Sequence, residues 1–385
     1  LEPLRIVFNQ SCDKWRHIYL AGGTSEGCYP PEAYRKTDRA YDSSRLKIES
    51  HPDGYSSNLY LPLLMSLFSA DEESEGIYCG LEWSGLWFIN FEEEEKGKSC
   101  LSVGIKVNGL QLKPNEVLNL PYVHIGFFKG GSVEGSNVLR EYIYNHICAK
   151  YKKEPVIPPV SYNHWQTKLS FESLKKQADR AAEIGMEVFI IDAGWFQGGY
   201  PYGMGNWDKV DLEKFPRGLE SLADYVQKLG MDLGIWFVPE RAYENTTVFK
   251  EHPDWFILPP EGQISEDSVH DVPHLDFGIL EAQNYFIELL GRYIERLDLR
   301  WIKWDYYGSP FVTSFFLENQ FEYYKGLYRV LDTIMEKYPN LRIEWCSSGG
   351  RRIDLATIRR AHTLWLSDAY GFDHNHLLSR YMQAR

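Results

Sequence analysis

Hydrophobic and polar residues alternate in short runs over the first part of the chain. From about Leu46 to Phe128 turn residues interrupt this alternation, as in GIYCGLEWSGLWFINFE and CLSVGIKV. A period of two with frequent turns is typical of antiparallel strands that have one buried face. The pattern therefore predicts an antiparallel β-sandwich. The acidic run from Glu92 to Glu95 is predicted to lie in a solvated hairpin loop between two of its strands.

A helical period follows the predicted sandwich. Between about Ser136 and Tyr151 the apolar positions share one helix face, which includes Val138 and His146. A packing role is therefore predicted for His146, in preference to a ligand role. The proline-rich segment EPVIPP then cannot continue the helix. We predict an N-terminal β-sandwich domain with a linker helix over residues 1–155 and a catalytic domain over residues 156–385, both partial.

Short apolar runs alternate with helical periods in the second region. The runs begin at Val160, Glu187, Asp232, Arg300, Leu341 and Thr363, and helices are predicted from Phe171 to Ile184, from Gly218 to Leu229 and from Gln320 to Lys337. Alternating strands and helices predict an α/β fold, here a TIM-type (β/α)8 barrel with its site at the carboxyl ends of the strands. An open doubly wound sheet is the alternative, although no Gly-rich loop follows the first strand.

The number of units predicts an incomplete barrel. Six strand–helix units precede the last residue, Arg385, where a closed barrel has eight. Six strands alone would leave sheet edges and apolar helix faces in water. We therefore expect the chain to be part of a longer protein.

Charge and cysteine usage narrow the classes of partner. The chain carries 41 Lys and Arg against 54 Asp and Glu, a net charge of −13, which disfavours nucleic acid as a partner. Its six cysteines show neither paired spacing nor a nearby His cluster, so no metal site and no disulfide framework is predicted.

Membrane and leader signals are missing from the sequence. No apolar run reaches the roughly 18 residues of a membrane span, and no leader pattern opens the chain. A soluble protein without a membrane partner is expected. The compartment stays open because the chain begins at Leu1 and not at Met. A homo-oligomer also stays open.

The run WIKWDYY carries a lysine and an aspartate two positions apart. Because side chains alternate along a strand, Trp301, Lys303 and Asp305 point one way and Ile302 and Trp304 the other. If the charged set faces the barrel lumen, the Lys303 ammonium favours ionised Asp305, as a nucleophile requires. A structural buried ion pair explains this motif equally well.

The run TLWLSD ends on Asp368 after mostly apolar residues. Partial desolvation at such a position favours the protonated carboxyl that a general acid needs. An N-cap of the next helix is an equally good interpretation of Asp368 alone. Two carboxylates at different strand ends of one barrel are the minimal set for glycoside hydrolysis, so Asp305 and Asp368 together indicate more than either alone.

Further candidate residues lie at other predicted strand ends. They are Asp192 and Trp195 in IDAGW, Trp236, Glu240 and Arg241 in GIWFVPER, and Cys346, Gly349 and Gly350 in EWCSSGGRR. Aromatic faces stack on sugar rings, and glycine lets a ligand approach the backbone closely. A circle of such residues at successive strand ends predicts a small polyol pocket, although placement in the core explains any single Trp as well.

Seven ordered motifs resemble the α-galactosidases of glycoside hydrolase family 36, the melibiase and raffinose-synthase group. They are YNHW at Tyr162, IDAGWF at Ile191, the long segment from Gly205 to Glu240, HPDWFI at His252, IKWD at Ile302, CSSGGRRID at Cys346 and WLSD at Trp365. The motifs extend from Tyr162 to Asp368, and the β-rich region before them resembles the second half of that family's N-terminal sandwich.

The resemblance implies a retaining α-galactosidase that needs neither a metal nor an organic cofactor. Asp305 would be the nucleophile and Asp368 the acid/base of a double displacement on terminal α-galactosides of an oligosaccharide or glycoconjugate. The implied sugar subsite consists of Asp192, Trp236, Lys303, Cys346 and Gly349, with Arg352 aligned with the family arginine.

Two positions depart from the family pattern. Ala193 stands where the family usually has a second aspartate before GW, so galactose specificity is less secure than α-glycosidase chemistry. Arg351 stands at the third glycine of the usual Gly-Gly-Gly-Arg. Its guanidinium is expected to point to solvent, with an anionic or amino-substituted sugar as the alternative reason for its presence.

Other functions stay open at this point. An α-N-acetylgalactosaminidase or a raffinose-synthase-like transglycosylase would keep both aspartates, so the sequence does not separate them from a galactosidase. A non-catalytic carbohydrate-binding protein would keep the tryptophans without needing the carboxylates. A dehydrogenase would need a nucleotide-binding loop that the sequence lacks.

Overall fold

The computed structural model describes residues 1–23, 34–40, 45–68, 74–165, 167–260 and 268–368. The first part of the chain forms antiparallel strands. They are β1 (Leu4–Phe8), β2 (Trp15–Ala21), β3 (Lys36–Ala40), β4 (Arg45–Glu49), β5 (Tyr60–Phe68), β6 (Glu75–Leu81), β7 (Trp87–Glu95), β8 (Lys98–Ile105) and β9 (Val123–Lys129). Antiparallel structure therefore begins at Leu4, well before the predicted start at Leu46.

These strands form two sheets, in the orders β1-β8-β7-β4 and β3-β2-β5-β6-β9. Alternate residues of β7, such as Trp87, Ile89 and Phe91, are fully buried and belong to the same core as Leu64 and Ile77 of the other sheet. The period of two thus reflects one buried face per strand, as predicted.

The acidic run is part of a strand and not of a loop. Glu92 to Glu95 complete β7, and the hairpin turn is Lys96-Gly97, where Gly97 has a φ of +81°. Glu92 lies 3.3 Å from Arg45 on β4, and Glu94 pairs with Arg5 on β1. Arginines on two other strands of the same sheet compensate the negative charges, so the strand continues through the run.

The linker helix begins and ends earlier than predicted, and it buries most of the predicted face: Leu139 and Tyr142 pack against the core cluster of Met65 and Phe128. Helix α1 spans Ser132–Tyr142, and a π-helical turn, Ile143–Ile147, follows it. A Cβ at buried Gly135 would lie 2.5 Å from the Phe128 ring, so the helix packs closely against β9 there. Val138 and His146 lie at the exposed edge of this face, so His146 is not in the core, although its ring contacts the Tyr142 ring at a centroid distance of 5.2 Å.

The second part of the chain contains six parallel strands in consecutive order. They are β12 (Ser161–Asn163), β13 (Val188–Ile191), β14 (Asp232–Phe237), β17 (Trp301–Trp304), β18 (Arg342–Trp345) and β19 (Thr363–Leu364), and all six coincide with predicted runs. Two short antiparallel pairs, β10 (Lys150–Tyr151) with β11 (Glu154–Pro155) and β15 (Phe256–Ile257) with β16 (His274–Leu275), complete the strands of the described residues.

Helices connect the parallel strands. They are α2 (Phe171–Glu183), α3 (Glu220–Lys228), α4 (Thr247–Glu251), α5 (Leu280–Leu297), α6 (Thr313–Lys337) and α7 (Leu355–Arg360). Helix α5 was not predicted, and α6 begins at Thr313 and not at Gln320. Parallel strands in sequential order with helices between them are the arrangement of one part of a TIM-type barrel.

The two faces of the parallel sheet differ in chemistry. The register pairs Trp236 with Lys303 and Lys303 with Glu344, so these three side chains share a face. On the opposite face Ile235, Ile302 and Ile343 align and belong to the main hydrophobic core. We call the face of Lys303 the lumen face. The predicted alternation of Lys303 and Asp305 against Ile302 and Trp304 is confirmed.

Apolar side chains fill the lumen below the polar residues. Val188, Ile190 and Trp301 form a small cluster of their own. A Cβ at position 234 would lie 2.9 Å from the Trp301 Cβ, so Gly234 makes room for this ring. These apolar side chains lie below the polar groups, which are at the carboxyl ends of the strands. Among the described residues, no helix combines the length and apolar character needed to cross a bilayer.

Candidate active site

A cavity of about 240 Å³ opens at the carboxyl ends of the parallel strands. We call it the strand-end pocket; its lining residues are Trp165, Asp192, Ala193, Tyr200, Trp236, Val269, His270, Lys303, Asp305, Tyr307, Ser348 and Asp368. A larger cavity of about 660 Å³, at Lys150 and Met335, has no carboxylate in its lining. The strand-end pocket brings together three aspartates, Asp192, Asp305 and Asp368, at the carboxyl ends of the parallel strands, and its size suits a single small ring.

Asp305 lies directly after β17 and is 5% exposed. Its Oδ1 accepts hydrogen bonds from the backbone N–H groups of Tyr306, at 2.8 Å, and Ser348, at 3.2 Å. Its Oδ2 accepts one from the Trp236 indole at 3.1 Å. Donors on three different strand ends therefore hold the carboxyl group in one orientation.

Several opposing influences set the protonation of Asp305. Burial is the largest and, together with the nearby carboxylate of Asp368, raises the pKa of Asp305 to about 6. Lys303 and hydrogen bonds from Cys346 and Trp236 act in the opposite direction without cancelling this rise. Lys303 thus favours ionised Asp305, as predicted. Asp368 is half-buried, in keeping with the partial desolvation predicted for it.

Lys303 and Asp192 form a buried ion pair beside Asp305. The Lys303 Nζ lies 2.9 Å from Asp192 Oδ2, and the Asn163 amide donates to the same oxygen at 2.6 Å. Burial opposes ionisation of Asp192, but Lys303 and these hydrogen bonds outweigh it, so the pKa of Asp192 falls below its ordinary value. Two aspartates in one pocket therefore have pKa values shifted in opposite directions.

Asp368 enters the pocket from the segment after β19. The Trp365 indole donates a hydrogen bond to Asp368 Oδ1 at 2.7 Å. The Lys303 ammonium in turn lies 4.1 Å from the centre of the Trp365 ring, a cation–π contact. Trp365 thus links the second carboxylate to the Lys303 and Asp192 pair.

Several predicted site residues lie where expected. Asp192, Trp236, Lys303, Asp305 and Asp368 all line the strand-end pocket. The Cys346 thiol is buried behind the pocket, where it hydrogen-bonds to Asp305, and burial together with the nearby carboxylates raises the pKa of this thiol.

Four other candidates lie outside the lining. Trp195 is fully buried in the core, where its indole donates to the Trp236 carbonyl at 2.9 Å. Arg241 donates to the carbonyls of Tyr307 and Val272, and Arg352 makes a two-point ion pair with Glu240. Gly349 serves the turn after β18, with a φ of +81°. Direct contact of these residues with a ligand does not fit their placement.

Several lining residues were missed by the sequence reasoning. They are Trp165, Tyr200, Val269, His270, Tyr307 and Ser348. Val269 and His270 come from the connection before β16, where no periodic pattern marks a pocket residue. Tyr307 and Ser348 each lie two residues beyond a predicted candidate, so extending each strand-end motif by two positions would have found both.

Glu344 was also missed, although a signal for it exists. It is 5% exposed, lies beside Lys303 in the register of β17 and β18, and accepts a hydrogen bond from the Trp301 indole at 2.8 Å. Burial raises the pKa of its carboxyl. A charged residue in the middle of a predicted buried strand is the local signal for such a lumen position.

The two positions that depart from the family pattern have different surroundings. The backbone kinks at Gly194, where φ is +99°, so Ala193 lines the strand-end pocket together with Asp192 and is not on the opposite face. Arg351 is buried, and the expectation that it points to solvent is wrong. Its guanidinium donates to Asn58 at 2.9 Å and to Asp53 at 3.4 Å. These partners hold the guanidinium, which argues against a role in binding an anionic sugar.

Among the described residues, no group of three or more His, Cys, Asp and Glu side chains is arranged to hold a metal ion. What the pocket offers is a pair of carboxylates on different strand ends, a buried lysine and several aromatic faces. This set can transfer a proton and supply a nucleophile at one small ring.

Comparison with known proteins relates this arrangement to one family. The family model described as melibiase matches residues 118–373. Alpha-galactosidase 2 of Hypocrea jecorina is 29% identical over 339 residues, which are 82% of this chain and 44% of that protein. An α-galactosidase of Lactobacillus acidophilus is 29% identical over 351 residues, 87% of this chain and 47% of its own length. The chain thus spans about half the length of these curated relatives.

Solved structures show the same fold. A glycoside hydrolase family 36 α-galactosidase of Geobacillus stearothermophilus superposes with a TM-score of 0.83 at 25% identity, over 98% of this chain and 53% of that one. Variants of it are known in complex with raffinose and with stachyose. The α-galactosidase of Lactobacillus brevis gives a TM-score of 0.85 at 24% identity, over 99% of this chain and 51% of that one.

Proposed function

Since this chain belongs to the melibiase family, we propose that it is the catalytic part of a retaining α-galactosidase of glycoside hydrolase family 36. The observation that carries the proposal is that Asp305 and Asp368, from different strand ends, face one small cavity. The substrates are terminal α-galactosides, in keeping with the raffinose and stachyose bound by variants of the Geobacillus relative. The six parallel strands belong to an eight-stranded TIM-type barrel.

In the first step the protonated carboxyl of Asp368 donates its proton to the glycosidic oxygen. The ionised carboxylate of Asp305 attacks the anomeric carbon, the bond to the leaving group breaks, and a glycosyl ester forms. Asp368, now ionised, accepts a proton from water, which attacks the same carbon and releases Asp305. Two inversions leave the product with the configuration of the substrate.

The surroundings of Asp305 suit a nucleophile. The N–H groups of Tyr306 and Ser348 and the indole of Trp236 orient its oxygens. Lys303 lies close enough to favour the ionised form. Burial keeps water away, so the carboxylate is poorly solvated before attack.

Asp192 and Lys303 form the polar wall that meets the sugar hydroxyls. Their ion pair is buried, and the ionised Asp192 keeps lone pairs for hydroxyl donors. Trp165, Trp236 and Tyr200 supply aromatic faces against which the carbon face of a ring packs. A pocket with one charged wall and one aromatic wall fits a single pyranose.

Azide rescue of two variants tests both carboxylate roles in one experiment. With an aryl α-galactoside, Asp305→Gly should lose hydrolysis, and azide should then attack the anomeric carbon directly to give the inverted β-galactosyl azide. Asp368→Ala should still form the ester, so azide should give the retained α-galactosyl azide. NMR of the products distinguishes the two anomers.

Glu344→Gln serves as the matched control, because Glu344 is a buried lumen carboxylate that does not line the pocket. Azide should yield no glycosyl azide with this variant. Turnover by Asp305→Gly within about tenfold of wild type, or the same azide anomer from both aspartate variants, would contradict the assignment. A wild type that is inert on α-galactosides contradicts the function as a whole.

A further inference from the structure

A loop of the N-terminal β-region is buried against the strand ends of the parallel sheet. Residues 53–58 connect β4 to β5, and we call them the 53–58 loop. All six residues are buried, although the segment has no regular structure and includes the polar residues Asp53, Ser56, Ser57 and Asn58. Burial of this many polar groups in a loop requires specific hydrogen-bond partners.

The partners lie in the turn that follows β18. Ser57 accepts a hydrogen bond from the Ile353 N–H at 2.7 Å and donates to the Gly350 carbonyl at 3.0 Å. Arg351 donates to Asn58 and Asp53. The backbone of Ser57 also donates to the Arg351 carbonyl at 2.9 Å. The 53–58 loop and the turn at residues 347–352 therefore form one hydrogen-bonded unit.

Tyr55 is the residue of this loop that contacts Ser348, a residue that donates to Asp305. Its hydroxyl lies 3.1 Å from Ser348 Oγ, and the guanidinium of Arg351 lies 4.0 Å above its ring. A Cβ at Gly308 would lie 2.5 Å from the same ring, and Tyr306 makes an edge contact with it at 5.4 Å. Tyr55 thus packs between the segment after Asp305 and the turn after β18.

Ser348 is the link from this unit to Asp305. Its φ is +47°, a left-handed conformation that residues with a side chain rarely adopt. In this conformation its N–H donates to Asp305 Oδ1 at 3.2 Å. A disfavoured backbone conformation persists when the surroundings hold it, and Tyr55 supplies a contact to the Ser348 hydroxyl that does so.

We propose that the 53–58 loop orients the nucleophile through the turn after β18, with Tyr55 and Arg351 as positioning residues. The inference rests on the proposed role of Asp305. Tyr55 holds Ser348, the Ser348 N–H stabilises and orients the ionised carboxylate, and Arg351 holds the Tyr55 ring in place. The N-terminal β-region is in this way a working part of the active site.

Tyr55→Phe tests the link because it removes a single hydroxyl and keeps the buried ring. With an aryl α-galactoside, kcat should fall by about tenfold, the equivalent of one hydrogen bond in the transition state, while KM changes by less than about twofold. The acid limb of kcat/KM should move to higher pH, because a loosened Ser348 N–H stabilises ionised Asp305 less.

Ser56→Ala is the matched control. Ser56 lies in the same loop and donates a buried hydrogen bond to Asp354 at 2.6 Å, but it makes no contact with Ser348 among the described hydrogen bonds. It should lower thermal stability about as much as Tyr55→Phe while leaving kcat within about threefold and the acid limb in place. Equal kinetic losses in both variants would reduce the loop to a structural role and overturn the inference.

Repeating Tyr55→Phe in a Ser348→Gly variant tests whether the effect of Tyr55 passes through the Ser348 hydroxyl. Ser348→Gly keeps the N–H and tolerates the left-handed conformation, but lacks the hydroxyl that Tyr55 contacts. Tyr55→Phe should cause little further loss in this background, and full additivity of the two losses would contradict the link. If Tyr55→Phe does not fold, Arg351→Lys should give the same shift of the acid limb. An inert wild type overturns the proposed function and this inference together, whereas an active wild type with an unchanged Tyr55→Phe overturns only the inference.

Discussion

At Asp305 the protein places a carboxylate where burial and a like charge oppose its ionisation. The raised pKa, about 6, means that the folded protein binds a proton there more tightly than the unfolded chain, whose aspartates titrate near about 3.9. The ionised form is the reactive one, so kcat/KM should fall as pH drops through about 6. The ionised Asp305 carboxylate that the proposed mechanism uses therefore lowers the free energy of unfolding at neutral pH.

The stability side of this relation has a definite sign. The free energy of unfolding falls as pH rises from about 4 to about 6, because Asp305 ionises at a lower pH in the unfolded chain than in the folded protein. Asp305→Asn removes this loss and should stabilise the protein above pH 6 by up to about 2 to 3 kcal/mol. Differential scanning calorimetry at pH 5 and pH 7.5 gives the Tm of the wild type and of Asp305→Asn. The substitution should raise Tm more at pH 7.5 than at pH 5.

Asp192 provides the matched comparison within the same pocket. Its pKa is lowered in the folded protein, so its charge contributes stability at neutral pH that is lost as pH falls through the folded pKa. Asp192→Asn should therefore lower Tm at pH 7.5, opposite to Asp305→Asn. Shifts of the same sign in both variants would contradict the charge balance described for the pocket.

Ala193 is an uncharged position in the lining of the strand-end pocket. It lines the pocket next to Asp192, with Tyr200 and Val269 also in the lining. A carboxylate at this position would accept a hydrogen bond from a sugar hydroxyl at position 4 or 6. Ala193→Asp should raise the preference for an aryl α-galactoside over the α-glucoside by about tenfold, the worth of about 1.4 kcal/mol.

The ratio of kcat/KM for the two substrates is the measurement for Ala193→Asp. The control is Ala193→Ser, which adds a neutral polar group at the same place. An aspartate at another buried alanine, such as Ala361, is unsuitable because it would place a charge in the core. The serine variant should move the ratio less than the aspartate variant. An unchanged ratio in folded Ala193→Asp would mean that position 193 does not contact the substrate.

At the scale of elements, a buried ion pair joins the ends of two strands that are not neighbours in the sheet. Glu240 follows β14 and Arg352 follows β18, and the pair is fully buried at 2.7 and 2.8 Å. Glu240 also accepts hydrogen bonds from Trp304 at the end of β17 and from Tyr323 of α6. These contacts tie the strand ends on either side of Asp305 to one helix.

Breaking this pair should be costly. Arg352→Met leaves Glu240 as an uncompensated buried charge and should destabilise the protein by about 3 to 5 kcal/mol. In the double variant Arg352→Met with Glu240→Gln the charge is gone, so part of the loss should be recovered. Urea unfolding of the wild type, Arg352→Met, Glu240→Gln and the double variant gives the coupling energy. Additive losses would show that the two side chains contribute independently.

At the scale of the whole molecule, the N-terminal sheets and the parallel sheet share one hydrophobic core. The core that contains Ile89 and Val103 also contains Ile302 and Leu327. Gln320 of α6 accepts hydrogen bonds from the Trp83 indole and the Leu86 N–H and donates to the Lys106 carbonyl. The predicted division at residue 155 therefore separates two kinds of secondary structure that do not have separate cores.

The same contact explains why the 53–58 loop reaches the strand ends. Helix α6 and the turn after β18 form the surface on which the N-terminal sheets pack, and this turn lies next to Asp305. Packed interiors have low compressibility, so a displacement of the N-terminal sheets would also displace the residues of the parallel sheet that share their core. The proposed coupling of the β-region to Asp305 therefore depends on contacts between the two parts of the chain.

The sequence by itself determined the positions of the six parallel strands and the alternation that turns Lys303 and Asp305 to one side. Both are local properties, since a run of apolar residues and a period of two need no knowledge of distant contacts. The strand-end positions of Asp305 and Asp368 indicated the pair, the motif resemblance added the role of each, and the pocket brings both together.

Only the tertiary structure decided which of the strand-end residues face the cavity. Trp195 and Trp236 were both candidates from strand-end motifs, yet one is buried in the core and the other lines the pocket. Arg351 resembled an exposed charge until Asp53 and Asn58, almost 300 positions earlier in the chain, were placed beside it. Burial and pairing of such residues depend on contacts between distant segments, which no local pattern encodes.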